Sequence, residues 1–271
     1  MNLTVRVPVT AGLMALLLIS ATGCKRLRAA DQLNKGVAAF KNARFEEAEN
    51  RFQSALDIDP SYDNARLYLA TTYSSQIVPN LDTPENKKIA QMAYDGFSEV
   101  LKKDPNSVPA LKQIASIDRN TGKLEEAKAD EKKVISLVPN DAEAYYTVGV
   151  VDWLQAYKNA TTVLQSEGLT DKSDGNFKLS KAGCARLSAQ NTPLVTEGLE
   201  YLAKAVQINP TYEEAMTYLS LMSRRKADLE CGNVESVKVD LAAAEMWAQK
   251  SMGARKENER RKEEKTHGVT Q

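Results

Sequence analysis

The chain has 271 residues with 36 Lys and Arg against 36 Asp and Glu, so no excess of either sign marks it for nucleic acid. One histidine, three cysteines and 13 glycines leave little material for metal centres, His-based catalysis or phosphate-binding loops. Frequent Ala, Leu, Glu and Lys with sparse aromatics predict an all-α protein, because straight-chain residues lose little rotamer freedom in a helix.

The first stretch, MNLTVRVPVTAGLMALLLISATGC, holds one cation, Arg6, then an apolar run from Val9 to Ile19, then small residues up to Gly23 and Cys24. That order predicts a signal peptide over 1–23. The ending ATGC resembles the lipobox of bacterial lipoproteins, which implies lipidation of Cys24, a membrane anchor in the cell envelope and a periplasm-facing body. Ala21 stands where the lipobox usually has Leu, and Lys25, Arg26 and Arg28 outnumber Arg6. A cationic flank of that kind tends to stay in the cytoplasm. The alternative is therefore a cytoplasm-facing scaffold on an uncleaved anchor, although the apolar run is shorter than the roughly 20 residues a span needs.

From residue 29 the chain repeats itself. RFEEAENRFQSALDIDP at 44–60 returns as KLEEAKADEKKVISLVP at 123–139, aligning Ala48 with Ala127, Ala55 with Val134, Ile58 with Leu137 and Pro60 with Pro139. Each such phrase follows a first half with a small residue near one place: Gly36, Ala70, Ala115, Gly149 and Ser220. Second halves end alike at Pro60, Pro105, Pro139 and Pro210. The pattern resembles the tetratricopeptide repeat, a helix-turn-helix unit of about 34 residues. This implies a right-handed solenoid of about five units over 24–256, with repeats near 29–62, 63–107, 108–141, 142–212 and 213–256. A small side chain at Gly36 or Ala70 lets helix A approach Ala48 or Ala93 on helix B, while Phe52 and Phe97 fill the space beside the crossing. Asp or Asn beside the proline, before it at 59, 104 and 209 or after it in PND at 139–141, closes helix B and can cap the next helix A.

Repeats two, four and five are long. Their extra residues, SQIVPNLDTPENKK, most of KNATTVLQSEGLTDKSDGNFKLSKAGCARLSAQNTP, and KADLECGNVES, are expected between helices A and B of each repeat, along one edge. The last residues, 257–271, are dense in both charges, with Glu257, Glu259, Glu263 and Glu264 offsetting Lys256, Arg260, Arg261, Lys262 and Lys265. They are read as a polar cap fraying into a disordered tail.

Catalysis finds no frame in this sequence. The only histidine, His267, lies at the extreme C terminus, no two cysteines form a CxxC pair, and no glycine-rich phosphate loop precedes a helix. No enzyme activity, cofactor, metal, nucleic acid or small-molecule substrate is expected. With Cys24 lipidated, Cys184 and Cys231 remain as a pair in the two neighbouring insertions, and a disulfide between them is expected in an oxidising compartment.

The expected partner is a polypeptide held in the groove that helices A line. Candidate groove residues are Asn34 and Val37 in repeat one, Tyr68 and Thr71 in repeat two, and Lys112 and Gln113 in repeat three. Repeat four supplies Tyr146, Val150 and Trp153, and repeat five Tyr218, Leu221 and Arg225. Rings give contact area at low entropic cost, and amides and cations can pair with a peptide backbone. Tetratricopeptide domains that clamp a terminal carboxylate need Lys, Asn and Arg on successive helices A. The matching places hold Leu33, Val37, Tyr68, Pro109 and Gln113, or in the next register Leu67, Thr71, Gln113, Glu143 and Thr147, so no such clamp is predicted.

Overall fold

The computed structural model describes residues 9–79, 81–175 and 178–268, with side chains described from 25 to 265. The Cys24 and His267 side chains, and residues 1–8 of the expected signal peptide, therefore fall outside what is described, and the expected lipidation of Cys24 with them. Ten α-helices carry the fold among those residues, and they contain no strand. By its contacts the chain divides into two compact units, one ending at Thr121 and one beginning at Gly122.

The first unit contains α1 (Val9–Lys41), α2 (Phe45–Ile58), α3 (Asp63–Ser74), α4 (Pro84–Lys103) and α5 (Val108–Asn120). Apolar residues three and four apart put one face of each helix into the core. Ala48, Phe52 and Ala55 of α2 pack with Leu33 and Ala39 of α1 and Ala65 of α3. A second cluster joins Ala70, Ala93, Phe97, Ala110 and Ile114. Phe52 and Phe97 are each 0 % exposed, and burying a side chain of that size is worth roughly 1.5–3 kcal/mol. The glycines mark the closest approaches. A Cβ on Gly36 would lie 2.5 Å from the Phe52 ring, and one on Gly96 would lie 2.7 Å from Ala70 Cβ. Phe52 thus fills the crossing at Gly36 and Gly96 approaches Ala70, while Ala48 and Ala93 lie fully buried in the same clusters.

The prolines sit in matched turns. Asp59 accepts from Ser61 N at 3.0 Å, Asp104 from Asn106 N at 3.1 Å and Asn209 from Thr211 N at 3.2 Å. These side chains close the turn two residues on and leave the next helix uncapped, which corrects the capping role expected of them. Asp141, after Pro139, does cap as expected, accepting from Ala144 N at 3.0 Å at the start of α7. The loop between α3 and α4 is tied by buried Asn86, whose side chain accepts from Val78 N at 2.8 Å and donates to the carbonyls of Val78 and Leu81 at 2.9 and 2.8 Å.

The second unit contains α6 (Leu124–Leu137), α7 (Ala142–Gln165), α8 (Lys181–Ile208), α9 (Glu213–Ala227), a 3-10 turn (Asp228–Glu230) and α10 (Val234–Gly268). Much of the repeat-four insertion is helix, unlike the expectation that it would fall between the helices. Lys158–Gln165 continues α7 and Lys181–Pro193 begins α8, because Ala156, Ala160, Val163 and Leu164 extend the buried face of α7, with Ala160 and Val163 clustered on Leu187 and Ala156 clustered with Val195 of α8. Only Ser166–Ser180 remains as a connection. At its base Glu167 accepts from Ser180 N at 2.9 Å and from Ser180 Oγ at 2.7 Å. The C-terminal stretch differs too, for α10 runs to Gly268 without a break. Its charges pair one turn apart, Glu257 with Arg260 and Arg261 and Glu264 with Arg260, which supports a helix where fraying was expected.

Candidate functional site

Rings on α7 and α9 form the most distinctive surface of the second unit. Tyr146, Trp153 and Tyr157 recur at helical spacing on α7, and Tyr218, Leu221 and Arg225 share a face of α9. Tyr146 meets Tyr212 with ring centroids 5.1 Å apart and Tyr218 at 5.6 Å. Tyr218 stands edge-on to Trp153 at 5.4 Å, and Trp153 stacks on Tyr157 at 5.4 Å. The five rings make one continuous strip. Its underside packs on Ala156, Leu202, Ala215 and Leu219, and Tyr157 at its end is 44 % exposed.

The strip has two electrostatically distinct features. Near Tyr212, burial first and then Tyr146, Glu143, Glu214 and Asp141 hold the phenol above its usual range, so carboxylates converge on that end. In the middle, Trp153 Nε1 is shut away from solvent with no hydrogen-bond acceptor. A buried donor left unpaired is uncommon in folded proteins and costs free energy.

Two buried ion networks flank the strip. Asp152, fully buried, accepts from Lys128 Nζ at 2.5 Å, and Glu197 receives both Lys128 and Lys132. Burial pushes the Asp152 carboxyl up to about 6 against the pull of Lys128. Glu197 is also raised by burial, but its two lysines outweigh this and hold it below the usual range. The second network is built on Arg225, which is 2 % exposed. It donates to both oxygens of Asp171 at 2.7 and 3.1 Å, donates to Ser173 Oγ at 2.8 Å and lies 3.1 Å from Asp228. Burial drives Asp228 up to about 7 although Arg225 opposes it. This network anchors the 166–180 connection to α9.

The expected groove residues therefore separate. Tyr146, Trp153 and Tyr218 are brought together, with Leu221 half-buried on the same helix face as Tyr218. Val150, 4 % exposed, belongs to the core. Arg225 is an internal anchor and presents no cation to a ligand, because two carboxylates already enclose it. In the first unit Tyr68 stacks on Phe52 at 5.6 Å, and the Thr71 hydroxyl donates to Leu67 O of its own helix at 2.8 Å. Gln113 accepts from Ser74 Oγ at 3.2 Å, Val37 packs in the first core cluster, Lys112 is half-exposed and Asn34 is exposed. No cluster like the second unit's strip joins these. Cys184 and Cys231 are brought together, with Cα atoms 5.7 Å apart and sulfurs in contact.

Tyr157 and Tyr212 were not among the expected residues. Tyr157 follows Trp153 by four residues, so extending α7 past the ordinary repeat length would have found it. Tyr212 lies in the turn before α9, where a helix-face argument does not reach. Among the described residues no helix is long and apolar enough to cross a membrane, and no three His, Cys, Asp or Glu side chains are placed to hold a metal ion.

No family model matches the chain, and no curated protein matches it. Solved structures do. A crystal structure of MamA aligns with a TM-score of 0.52 at 16% identity, covering 83% of this chain and 96% of that one. A double mutant of MamA from strain RS-1 aligns with a TM-score of 0.55 at 17% identity, covering 85% and 96%. MamA 41-end from Desulfovibrio magneticus RS-1 gives 0.51 at 17% identity, covering 81% and 96%. Identity this low speaks for the fold alone. Together with the all-helical architecture, these likenesses make the chain a tetratricopeptide-repeat solenoid.

Proposed function

We propose that the protein is a membrane-tethered interaction scaffold of the cell envelope that holds a segment of a partner polypeptide on the face of α7 and α9. The tetratricopeptide solenoid is a protein-interaction fold in general. The half-exposed ring strip is the observation that carries the more specific reading. Rings with a wet edge and an apolar body are the side chains that dominate contact energy at protein interfaces. Tethering rests on the sequence of the N-terminal stretch and its lipobox-like ATGC before Cys24. We assign no catalytic role, since the strip and its two ion networks offer no nucleophile with a base beside it.

A cytoplasm-facing scaffold on an uncleaved anchor is the second reading. Exposed Lys25, Arg26 and Arg28 at the start of the described side chains favour it. Metabolic labelling with an alkyne palmitate separates the two: the first requires label that Cys24→Ser removes, and the second requires none. For the binding face, Leu221→Glu puts a charge beside the strip without removing a ring. Loss of the partner that co-purifies from membranes, with the melting transition unchanged, is expected. Full retention of the partner would place the site elsewhere.

A further inference from the structure

The buried centre that ties the connection after α7 to α9 holds one more carboxylate than its cation can serve. We infer that this centre is a proton-gated latch: a proton on Asp228 keeps residues 166–175 fastened to α9, and loss of that proton releases them.

One guanidinium stands there against two carboxylates. Arg225 and Asp228 are 2 % and 1 % exposed, so neither reaches water while the connection is closed. Arg225 directs its aligned bonds at both oxygens of Asp171 and at Ser173 Oγ. Asp228 comes within 3.1 Å of the same guanidinium, yet neither of its oxygens has a hydrogen-bond partner. Once ionised, it carries a second negative charge against a single positive one, with neither water nor an aligned donor to stabilise it. Relief comes in one of two ways. Asp228 holds a proton, or the connection lifts and water enters.

The surroundings favour neither a second cation nor a rival titration. Asp171 and Asp174 of the connection add negative charge, and the Gly175 N–H favours the ionised form without an aligned bond. The neighbouring cations of α9 are directed elsewhere, Arg224 to Ser173 O at 3.3 Å and Lys226 to Asp240 of α10 at 2.7 Å. From α8 comes Cys184, which is bonded to Cys231. Burial raises Asp171 as well, but the Arg225 bonds outweigh it and hold this carboxyl below its usual range. Glu167, at the base of the connection, is held low by the Ser180 N–H and hydroxyl. Both therefore stay ionised between pH 5 and pH 7.

The direction follows from burial. Against the pull of Arg225 it holds Asp228 up to about 7, whereas a solvated aspartate ionises near 3.8. The closed form thus binds the proton more tightly than the open one, so the advantage of closure is full below about pH 4 and is lost as pH rises to about 7. Opening is felt at the ring strip. The Arg225 guanidinium also lies over Tyr157, 5.8 Å from the ring centroid.

Amide hydrogen exchange of the full oxidised chain at pH 5 and pH 7, each corrected for intrinsic exchange, tests the latch. Two amides of the connection report on it: Leu169 N–H, bonded to Leu164 O at 2.9 Å, and Ser173 N–H, bonded to Asp171 Oδ1 at 2.8 Å. Peptides carrying them should lose protection by about tenfold or more between the two pH values, since two pH units inside the interval allow up to about a hundredfold. Asp228→Asn, which cannot ionise, should keep the protection constant. Equal protection of the unaltered chain at both pH values, or the same loss in Asp228→Asn, overturns the inference. A carbon-13 titration of the Asp228 carboxyl in the unaltered chain decides the matter even where the variant fails to fold. A midpoint near 7 is expected, and one near 4 overturns the latch.

Discussion

Adding one methyl group at Gly149 tests the helix crossing that the repeat pattern encodes. A Cβ there would lie 2.4 Å from Leu202 Cγ and 2.9 Å from its Cδ2, whereas carbon atoms settle about 3.5–4.0 Å apart. Cγ is the branch point of a fully buried side chain, so relief requires α7 and α8 to separate by about an ångström. Overpacking of this kind costs about 1–3 kcal/mol, and the severe contact argues for the upper end. Ala returns about 1 kcal/mol in helix propensity over Gly, leaving Gly149→Ala destabilised by about 2 kcal/mol. Gly253 on α10 is the control, since a Cβ there meets nothing within 4 Å. Gly253→Ala should gain about 1 kcal/mol, so the same substitution at two glycines differs by about 3 kcal/mol. Truncating the neighbour supplies a further check. Leu202→Ala alone should cost about 2–5 kcal/mol, and the pair with Gly149→Ala should cost less than the sum of the single changes. Urea unfolding followed by tryptophan emission is the assay, because Trp153 and Trp247 both report on the second unit. Gly149→Ala as stable as the unaltered chain would refute the close crossing.

Other expectations concern the flanks of the strip. Cys184 and Cys231, 47 residues apart in sequence, should resist alkylation until reduced, and by loop-closure entropy their bond is worth up to about 4 kcal/mol. Mass mapping that finds both alkylated in non-reduced protein would exclude the bond. Asp152, raised to about 6 from an ordinary 3.8, binds its proton more readily folded than unfolded, so its contribution falls as pH rises from about 4 to about 6. Urea midpoints at pH 4 and pH 7 should show the unaltered chain losing on the order of 3 kcal/mol relative to Asp152→Asn over that interval, and a parallel response would contradict this. Arg225→Leu leaves Asp171 and Asp228 enclosed without their cation, a loss of about 3–5 kcal/mol. Trypsin cleavage at Lys172 and Lys178 should then accelerate, and an unchanged rate would show that the connection is held by other means.

The fold was legible because its grammar is local. A small residue on helix A, an aromatic on helix B and a proline in the turn recur at spacings that period-counting detects, and Phe52, Phe97 and Gly149 each lie at a helix crossing. The distance of approach was less legible. The approach of Phe52 to within 2.5 Å of the Cβ position at Gly36 depends on how far the ring reaches across the crossing, a quantity that alignment of repeats does not give. The long insertion was misread for a related reason. Ala156, Ala160 and Val163 continue the helix period, but a fixed repeat length ends helix A before them. Arg225 shows the remaining difficulty most plainly, since it lies on the face shared with Tyr218 by spacing. Only the connection carrying Asp171, more than fifty residues earlier, turns it from a ligand-facing cation into a buried anchor. Tertiary pairings of that range leave no periodic trace.

Photocrosslinking in cells addresses the central claim most directly. A photoreactive amino acid placed at Tyr157 or Leu221, beside the strip, should give a covalent adduct with a discrete partner polypeptide. The same probe at Ala242, exposed on α10, should give none. Adducts from α10 with none from Tyr157 or Leu221 would contradict the account.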